Sequence, residues 1–373
     1  MKAALLKALR APLAIETTPD PQAGPGEVVV EVVAAPVLSY TNEVFDGTRA
    51  YHLTFPMIPG CGAVGRICAM GPDATRLKPG EWVFCDPTVR ARDDALAPDI
   101  LLQGWTAPTE GAQSLQRWMR DGAFAERMRV PMECVFPLGE IAATDASRWC
   151  AALAMLVPYG GWLASGLQAG ETALINTATG HFGGAAVAVA LAMGAGRVLA
   201  TGRNEATLGD LTRRFGVRVR PVQLSGDAEA DNTRIREVAS GPIDRVLDIL
   251  PPLPDASPVR AALTSVRPHG TVVLMGGLGV DVAIPYRWIM RNNITLRGQW
   301  MYRARRCPDS SRSCAPACSH SITQTSRNSR SRASTKPLSM LPHTAAPSDS
   351  PYYDPESDSR SKCSCRDRFG AAR

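Results

Sequence analysis

Hydrophobic and polar residues follow three different patterns along the chain. In residues 1–150, short aliphatic and β-branched runs lie between glycine and proline turns, which predicts strands at 1–7, 28–34, 60–70 and 81–85. Glycines recur at positions 60, 62, 65, 71 and 80. This spacing is typical of a small, tightly curved barrel, because glycine lets strands bend and approach closely.

From about residue 151 the pattern changes to alternating strands and helices. Apolar runs predict strands at 172–176, 197–201, 217–222, 243–250, 271–275 and 294–298. Helical patterns lie between them at 182–193, 205–215, 232–239 and 259–266. Short strands buried on both faces, with helices between them, indicate a parallel sheet wound by right-handed crossovers. The expected fold class is therefore α/β.

A third pattern begins at residue 303. Residues 303–373 contain 16 serines, no valine and only four residues of the Ile, Leu and Met group. This composition predicts a disordered tail, because too little apolar surface is available to offset chain entropy. An alternative is an out-of-frame translation: the codons for 307–329, read one base earlier with permissive third bases, can encode an amphipathic helix and a strand. The composition fits both alternatives.

Charge and cysteine usage narrow the function classes. The formal charge of +6 comes from the tail, where Lys and Arg exceed Asp and Glu by seven, so residues 1–302 are almost neutral. A basic nucleic-acid groove is therefore not expected. The longest apolar stretch, 182–193, is too short for a membrane span, and charged residues interrupt the apolar start of the chain. Five scattered cysteines in residues 1–302 suggest free thiols in a reducing compartment, so we expect a cytoplasmic protein.

The most informative segment is a glycine-rich turn between the strand 172–176 and the helix 182–193. Ala178, Gly180 and Gly183 occupy the three positions of the dinucleotide-binding fingerprint. A small first residue permits the tight turn, Gly180 lets a pyrophosphate approach the backbone, and Gly183 lets the helix pack against the strand. The strand–turn–helix context makes this a strong indication of a nicotinamide dinucleotide site. The predicted cofactor-binding residues of the loop are Ala178, Thr179, Gly180, His181, Phe182 and Gly183.

The end of the next strand indicates which dinucleotide binds. An NAD-specific site usually has an acidic residue there for the ribose 2′-hydroxyl. This chain has Thr201, Gly202, Arg203 and Asn204 instead, and we predict that these four residues bind the cofactor. Gly202 leaves room, and the Arg203 guanidinium can pair with a 2′-phosphate. The pattern favours NADP(H) over NAD(H), although Arg203 could also be a solvated residue at the helix start.

Residues 1–302 resemble the medium-chain dehydrogenase/reductase superfamily, specifically its zinc-independent, quinone-oxidoreductase-like members. Besides the nucleotide loop, the stretches that carry the resemblance are 60–65, 77–83, 122–126, 268–277 and 293–298, in the order of the family. The resemblance implies a GroES-like catalytic domain at 1–150 and a Rossmann domain at 151–302, followed by the tail at 303–373. It also implies a homodimer, and a nicotinamide side of the cleft lined by Ile249, Leu250, Gly276 and Gly277.

Departures from the family indicate that no zinc is bound. Zinc members have a cysteine in the loop that contains Leu38, and Gly-His-Glu where this chain has Gly60, Cys61 and Gly62. Leu38 cannot ligate a metal, and Cys61 alone cannot supply the three protein ligands of a catalytic zinc. The region expected to hold a structural zinc contains only Cys85. Cys314, Cys318 and His320 have metal-like spacing, but the serine-rich context argues against a site.

The resemblance implies that NADPH delivers hydride to a small-molecule substrate, either a quinone or the β-carbon of an enone. Ser39, Tyr40 and Tyr51 are the candidate catalytic residues, because they are the polar side chains nearest to the family's substrate loop. Each could equally be a structural hydroxyl. Two alternatives remain open: an alcohol or aldehyde reductase of the same fold, and a non-catalytic nucleotide-binding protein compromised by its C-terminus.

Overall fold

The computed structural model describes residues 1–94 and 96–302. Predictions for residues 303–373, including the tail, its alternative reading frame and the Cys314, Cys318 and His320 spacing, lie outside the described residues. None of the described helices is long and apolar enough to cross a membrane.

The first half of the described chain is built from antiparallel strands. The strands are β1 (Lys2–Leu5), β2 (Ala14–Thr17), β3 (Glu27–Ala34), β4 (Ala63–Met70), β5 (Trp82–Cys85), β6 (Thr88–Arg90), β7 (Ile100–Leu102), β8 (Arg127–Pro131) and β9 (Val135–Pro137). The helices are α1 (Thr41–Phe45), α2 (Glu110–Gln116) and α3 (Ala146–Trp149). The main sheet has the order β8-β3-β4-β5-β9, while β1-β2 and β6-β7 form separate pairs. Register shifts interrupt the β3–β4 pairing, and such irregularities bend a sheet.

The second half contains a six-stranded parallel sheet between helices. The strands are β10 (Thr172–Asn176), β11 (Arg197–Gly202), β12 (Val219–Gln223), β13 (Arg245–Asp248), β14 (Thr271–Leu274) and β15 (Thr295–Gly298). The helices are α4 (Ala151–Ser165), α5 (His181–Ala192), α6 (Glu205–Phe215), α7 (Ala228–Ala239), α8 (Ser257–Ser265) and α9 (Tyr286–Arg291). The strand order is β12-β11-β10-β13-β14-β15. The predicted doubly wound parallel sheet is confirmed, and the order reverses between β10 and β13.

Buried apolar clusters cover both faces of the parallel sheet and continue into the first half. One cluster contains residues of α4, α5 and α6, and another contains residues of α7, α8 and α9. A further cluster combines the α1 region, the start of α4, Phe182 and Met301. The two halves therefore share one apolar core beside the first turn of α5.

Candidate functional site

The turn after β10 has an unusual backbone. Thr177 has a φ of 72°, in the left-handed region that β-branched residues seldom adopt. Its N–H donates to the Thr201 hydroxyl at 2.9 Å, and the Ala178 N–H donates to the Thr201 carbonyl at 2.7 Å. Ala178 and Thr201 are fully buried. Both residues therefore hold the turn from the protein interior.

The first turn of α5 offers free backbone donors. Gly180 caps the helix with an extended backbone, and no side chain accepts a hydrogen bond from the helix start. The first N–H groups of a helix lack partners within the helix and carry positive dipole, so they suit a phosphate. A Cβ atom on Gly180 would meet no atom within 4 Å, which leaves the approach to these donors open.

Gly183 lies one turn further along and has no such space. A Cβ atom there would lie 2.1 Å from the Thr177 carbonyl oxygen and 2.7 Å from the Ala178 Cα. Only glycine allows the helix to approach the turn this closely. A side chain would thus meet open space at Gly180 and the preceding turn at Gly183.

The remaining predicted loop residues surround this turn. Thr179 is half-buried, and His181 is exposed with its ring 5.4 Å from that of Phe182. A cavity of about 470 Å³ opens beside Thr179, Gly180 and His181, between α4, α5 and α6.

The end of β11 meets the same loop. A Cβ atom on Gly202 would lie 2.4 Å from the Thr179 side chain, so glycine is required there for close packing. Arg203 is exposed. The Asn204 side chain accepts a hydrogen bond from the Thr207 N–H at 3.0 Å and caps α6. Arg203 is thus free to meet a solvent-side group, while Asn204 already has a structural partner.

Residues predicted to lie on the nicotinamide side form two paired loops. The Gly277 N–H donates to the Leu250 carbonyl at 2.7 Å, and the Ile249 N–H donates to the Asn176 carbonyl at 3.4 Å. A Cβ atom on Gly276 would lie 2.8 Å from backbone atoms of Leu250. All four predicted residues therefore lie at the carboxyl edge of the sheet, where parallel sheets bind ligands.

Sequence reasoning missed a buried polar pair at this edge. The Asn176 amide donates to the Asp248 carboxylate at 2.7 Å. Burial raises the pKa of Asp248 to about 6, and the hydrogen bond from Asn176 acts in the opposite direction. The signal in the sequence is a polar residue at the end of each of two apolar strands.

Aromatic side chains from both halves of the described chain form a cluster beside the first turn of α5. The Tyr40 ring centroid lies 6.4 Å from Tyr51, 5.9 Å from Trp105 and 6.4 Å from Phe182 of α5. The Arg49 guanidinium lies 4.2 Å from the Tyr40 centroid and pairs with Glu43 at 2.9 Å. Ser39 is exposed. Tyr40 and Tyr51 are thus brought together beside the first turn of α5, and Phe182, a predicted cofactor-binding residue, also contacts this cluster.

The positions that hold zinc in related enzymes lack suitable ligands. Leu38 has no donor atom, and burial, followed by the Asp86 carboxylate, raises the pKa of the Cys61 thiol, so the thiol is protonated. Gly62 has no side chain. Within residues 1–94 and 96–302, no three His, Cys, Asp or Glu side chains are grouped so that they could hold a metal. Within the described part of the chain, these positions therefore offer no ligand set for a catalytic zinc.

Two family models match this chain. The alcohol dehydrogenase GroES-like domain matches residues 24–140, and the zinc-binding dehydrogenase family matches residues 182–315. Together they cover most of the chain and both predicted architectures.

Curated relatives include dehydrogenases and reductases. An alcohol dehydrogenase from Rhizobium meliloti (strain 1021) is 32% identical over 34% of this chain and 36% of its own length. An alcohol dehydrogenase from Moraxella sp. (strain TAE123) is 27% identical over 80% of this chain and 84% of its own. The mitochondrial enoyl-acyl-carrier-protein reductase of Rattus norvegicus is 23% identical over 74% of this chain and 65% of its own.

Solved structures share the fold. A protein described as a zinc-binding dehydrogenase from Sinorhizobium meliloti 1021, bound to NADP, has a TM-score of 0.67 at 20% identity and covers 86% of this chain and 89% of its own. A protein from the same organism described as an alcohol dehydrogenase has a TM-score of 0.67 at 25% identity, covering 88% and 91%. The chain belongs to the medium-chain dehydrogenase/reductase superfamily and is an oxidoreductase of that type.

Proposed function

We propose that this protein is an NADP(H)-dependent, zinc-free oxidoreductase that transfers hydride to a quinone, an enone or a related conjugated carbonyl compound. The observation that carries the proposal is the contact between Phe182, in the first turn of the cofactor helix, and Tyr40, in the substrate loop. This contact joins an aromatic, largely apolar cluster to the glycine-rich turn after β10. Aromatic surroundings of this kind would suit a flat conjugated substrate and would exclude water.

The loop residues support a nicotinamide cofactor, and Arg203 supports NADP(H) over NAD(H). The free N–H groups at the start of α5 would hold the pyrophosphate. The exposed Arg203 would pair with the 2′-phosphate, since the end of β11 has no acidic residue to bind a ribose hydroxyl. When bound, the reduced cofactor supplies hydride. NADP in the related Sinorhizobium meliloti structure is consistent with this choice.

The hydroxyl groups of this aromatic cluster would position the carbonyl group by donating hydrogen bonds to its oxygen. Burial raises the pKa of Tyr40 above its usual value, with Tyr51 and Cys61 adding to the effect. Tyr40 therefore keeps its hydroxyl proton at neutral pH and can donate a hydrogen bond to a developing enolate oxygen. Tyr51 lies in the same aromatic cluster and is the second candidate hydrogen-bond donor, while the exposed Ser39 lies nearer to solvent. Charge stabilisation would then come from hydroxyl groups instead of a metal ion.

An alcohol or aldehyde reductase is the second candidate. It is favoured by the Moraxella alcohol dehydrogenase, which matches 80% of this chain. The enoyl reductase of Rattus norvegicus favours reduction of a conjugated double bond. The lack of suitable ligands at Leu38 and Cys61 favours reduction of the conjugated double bond, because carbonyl reduction without a metal needs a stronger hydrogen-bond donor.

We further propose a cytoplasmic homodimer that binds no nucleic acid or membrane. Strand β15 lies at the edge of the parallel sheet, and exposed Tyr286, Met290 and Trp300 lie near it in sequence. An open strand edge with neighbouring apolar side chains suits pairing with a second copy. The five cysteines in the described residues are free, which suits a reducing compartment.

The experiment is a substrate panel assayed by NADPH oxidation, with and without a zinc chelator. We expect turnover of enones or quinones, faster with NADPH than with NADH, and no loss of rate with the chelator. Loss of activity with the chelator and recovery with added zinc would contradict the zinc-free proposal. Turnover of simple aldehydes alone would favour the second candidate.

A further inference from the structure

Asn176 and Asp248 occupy a special place in the parallel sheet. Asn176 is the last residue of β10, and Asp248 is the last residue of β13, its direct partner in the register. The strand order reverses between these two strands. The crevice at such a reversal is the usual ligand-binding place of an open α/β sheet, so the pair lies at the bottom of the expected cofactor crevice.

The hydrogen bonds of Asn176 fix the orientation of its side chain. Its Nδ2 donates to Asp248 Oδ1 at 2.7 Å and to the Pro258 carbonyl at 3.1 Å, which uses both amide hydrogens. Its Oδ1 therefore faces the Thr201 hydroxyl, 3.5 Å away. Only about 1% of Asn176 and 3% of Asp248 is exposed, and a buried polar group that loses its partner is costly.

Thr201 continues this connection to the dinucleotide loop. Its hydroxyl accepts the Thr177 N–H at 2.9 Å, and its single hydrogen is shared between the Ile175 carbonyl at 3.1 Å and Asn176 Oδ1 at 3.5 Å. Thr177 holds the left-handed conformation that begins the turn. Such a strained residue persists only where its surroundings hold it. The Asn176–Asp248 pair is thus linked to the turn that presents the backbone N–H groups proposed to bind the phosphates.

On its other side Asp248 contacts the loop after β14. The Met275 N–H donates to the Asp248 carbonyl at 3.0 Å. A Cβ atom on Gly276 would lie 3.0 Å from Asp248 Oδ2, so the carboxylate packs against the Gly276 backbone. The Asp248 side chain therefore contacts Asn176 of β10 on one side and the Gly276 loop after β14 on the other.

We propose that Asp248 is a positioning residue which, through Asn176 and Thr201, holds the dinucleotide loop and the Gly276 loop in the arrangement that binds the cofactor. This inference rests on the proposed cofactor, but it makes a separate claim about the loop itself. The mechanism needs no contact between Asp248 and the cofactor. It predicts that breaking the Asn176–Asp248 hydrogen bond loosens residues 177–180.

The test compares Asp248→Ala, Asp248→Asn and the control Asp244→Ala. Asp244 lies immediately before the first residue of β13, at the other end of the strand from Asp248. It accepts the Thr172 N–H at 2.8 Å and forms an ion pair with Arg267 at 2.6 Å. Two quantities are measured on the full chain: hydrogen exchange of residues 177–180 without cofactor, and the Kd for NADPH.

We expect Asp248→Ala to speed exchange in the loop and to raise the Kd for NADPH about tenfold. In Asp248→Asn, the exchange rate and the Kd should both stay close to those of the parent, because the new amide oxygen can still accept the hydrogen bond from Asn176. Asp244→Ala should lower Tm but leave loop exchange and Kd unchanged. If Asp248→Ala does not fold, Asn176→Leu breaks the same bond from the other side and should give the same pattern.

Unchanged loop exchange in Asp248→Ala, or equal effects from Asp244→Ala, would overturn the inference. If the parent protein binds no NADPH, the proposed function fails, whereas the exchange measurement still decides whether Asp248 holds the loop.

Discussion

At the scale of single residues, Gly180 and Gly183 lie in one turn but have different surroundings. A Cβ atom on Gly180 meets open space, and one on Gly183 meets the Thr177 carbonyl at 2.1 Å. We expect Gly180→Ala to keep Tm nearly unchanged but to weaken NADPH binding about tenfold, because the methyl group obstructs the phosphate. Gly183→Ala should instead destabilise the fold by about 2 kcal/mol or more.

Thermal unfolding and NADPH titration of the two variants check this pair. Gly209→Ala serves as the control, since a Cβ atom there meets nothing within 4 Å and Gly209 lies inside α6. It should raise Tm slightly. Equal Tm losses for Gly180→Ala and Gly183→Ala would contradict the assignment of separate functions.

Asp86 gives a prediction on pH. Burial raises its pKa to about 6, opposed by the hydrogen bond from Thr88 and by the charge of Arg90. Because the folded pKa lies above the unfolded value of 3.8, the native state binds the proton more tightly. The contribution of Asp86 to stability is therefore largest below pH 3.8 and is lost as pH rises through about 6.

The variant Asp86→Asn stays neutral and can still accept the Thr88 N–H, which lies 2.9 Å from Asp86 Oδ1 in the parent. The Tm of the variant minus the Tm of the parent should therefore be larger at about pH 8 than at about pH 4. A Tm difference that is constant across this range would show that Asp86 does not titrate there.

At the scale of secondary-structure elements, α6 and α4 show what the sequence pattern can predict. Helix α6 matches its predicted bounds, because an apolar stripe and a capping Asn204 mark it locally. Helix α4 was missed, since it is apolar on nearly all sides and contains Pro158, Gly160 and Gly161. The two glycines allow neighbouring segments to approach the helix closely. A Cβ atom on Gly160, for example, would lie 2.2 Å from the Met301 carbonyl oxygen.

Trp162 connects α4 to α5 and gives a prediction for this contact. Its buried indole N–H donates to the Ala186 carbonyl at 3.1 Å. Trp162→Phe keeps an aromatic ring but removes this donor, so we expect a loss of about 1 kcal/mol in the free energy of unfolding. NADPH affinity should stay within about twofold, since the contact lies away from the loop donors. Denaturant unfolding and NADPH titration measure both effects, and a large loss of affinity would show that α4 helps to hold the cofactor loop.

At the scale of the whole molecule, local sequence predicted the glycine-rich turn between β10 and α5 better than the aromatic cluster around Tyr40. The loop between β10 and α5 is one continuous segment, so spacing alone indicated which glycine needs space and which needs contact. Tyr40 and Phe182 come together from opposite halves of the described chain. The Asn176–Asp248 pair forms only because β10 and β13 are neighbours in the sheet. No local pattern encodes such pairings.

Calorimetric titration of the full chain with NADPH and NADH tests the central claim that residues 176–184 hold the diphosphate of a nicotinamide cofactor. We expect one saturable site with tighter binding of NADPH than of NADH, together with a rise in Tm at saturation. A folded protein that shows neither heat of binding nor a Tm shift with either cofactor would contradict the account.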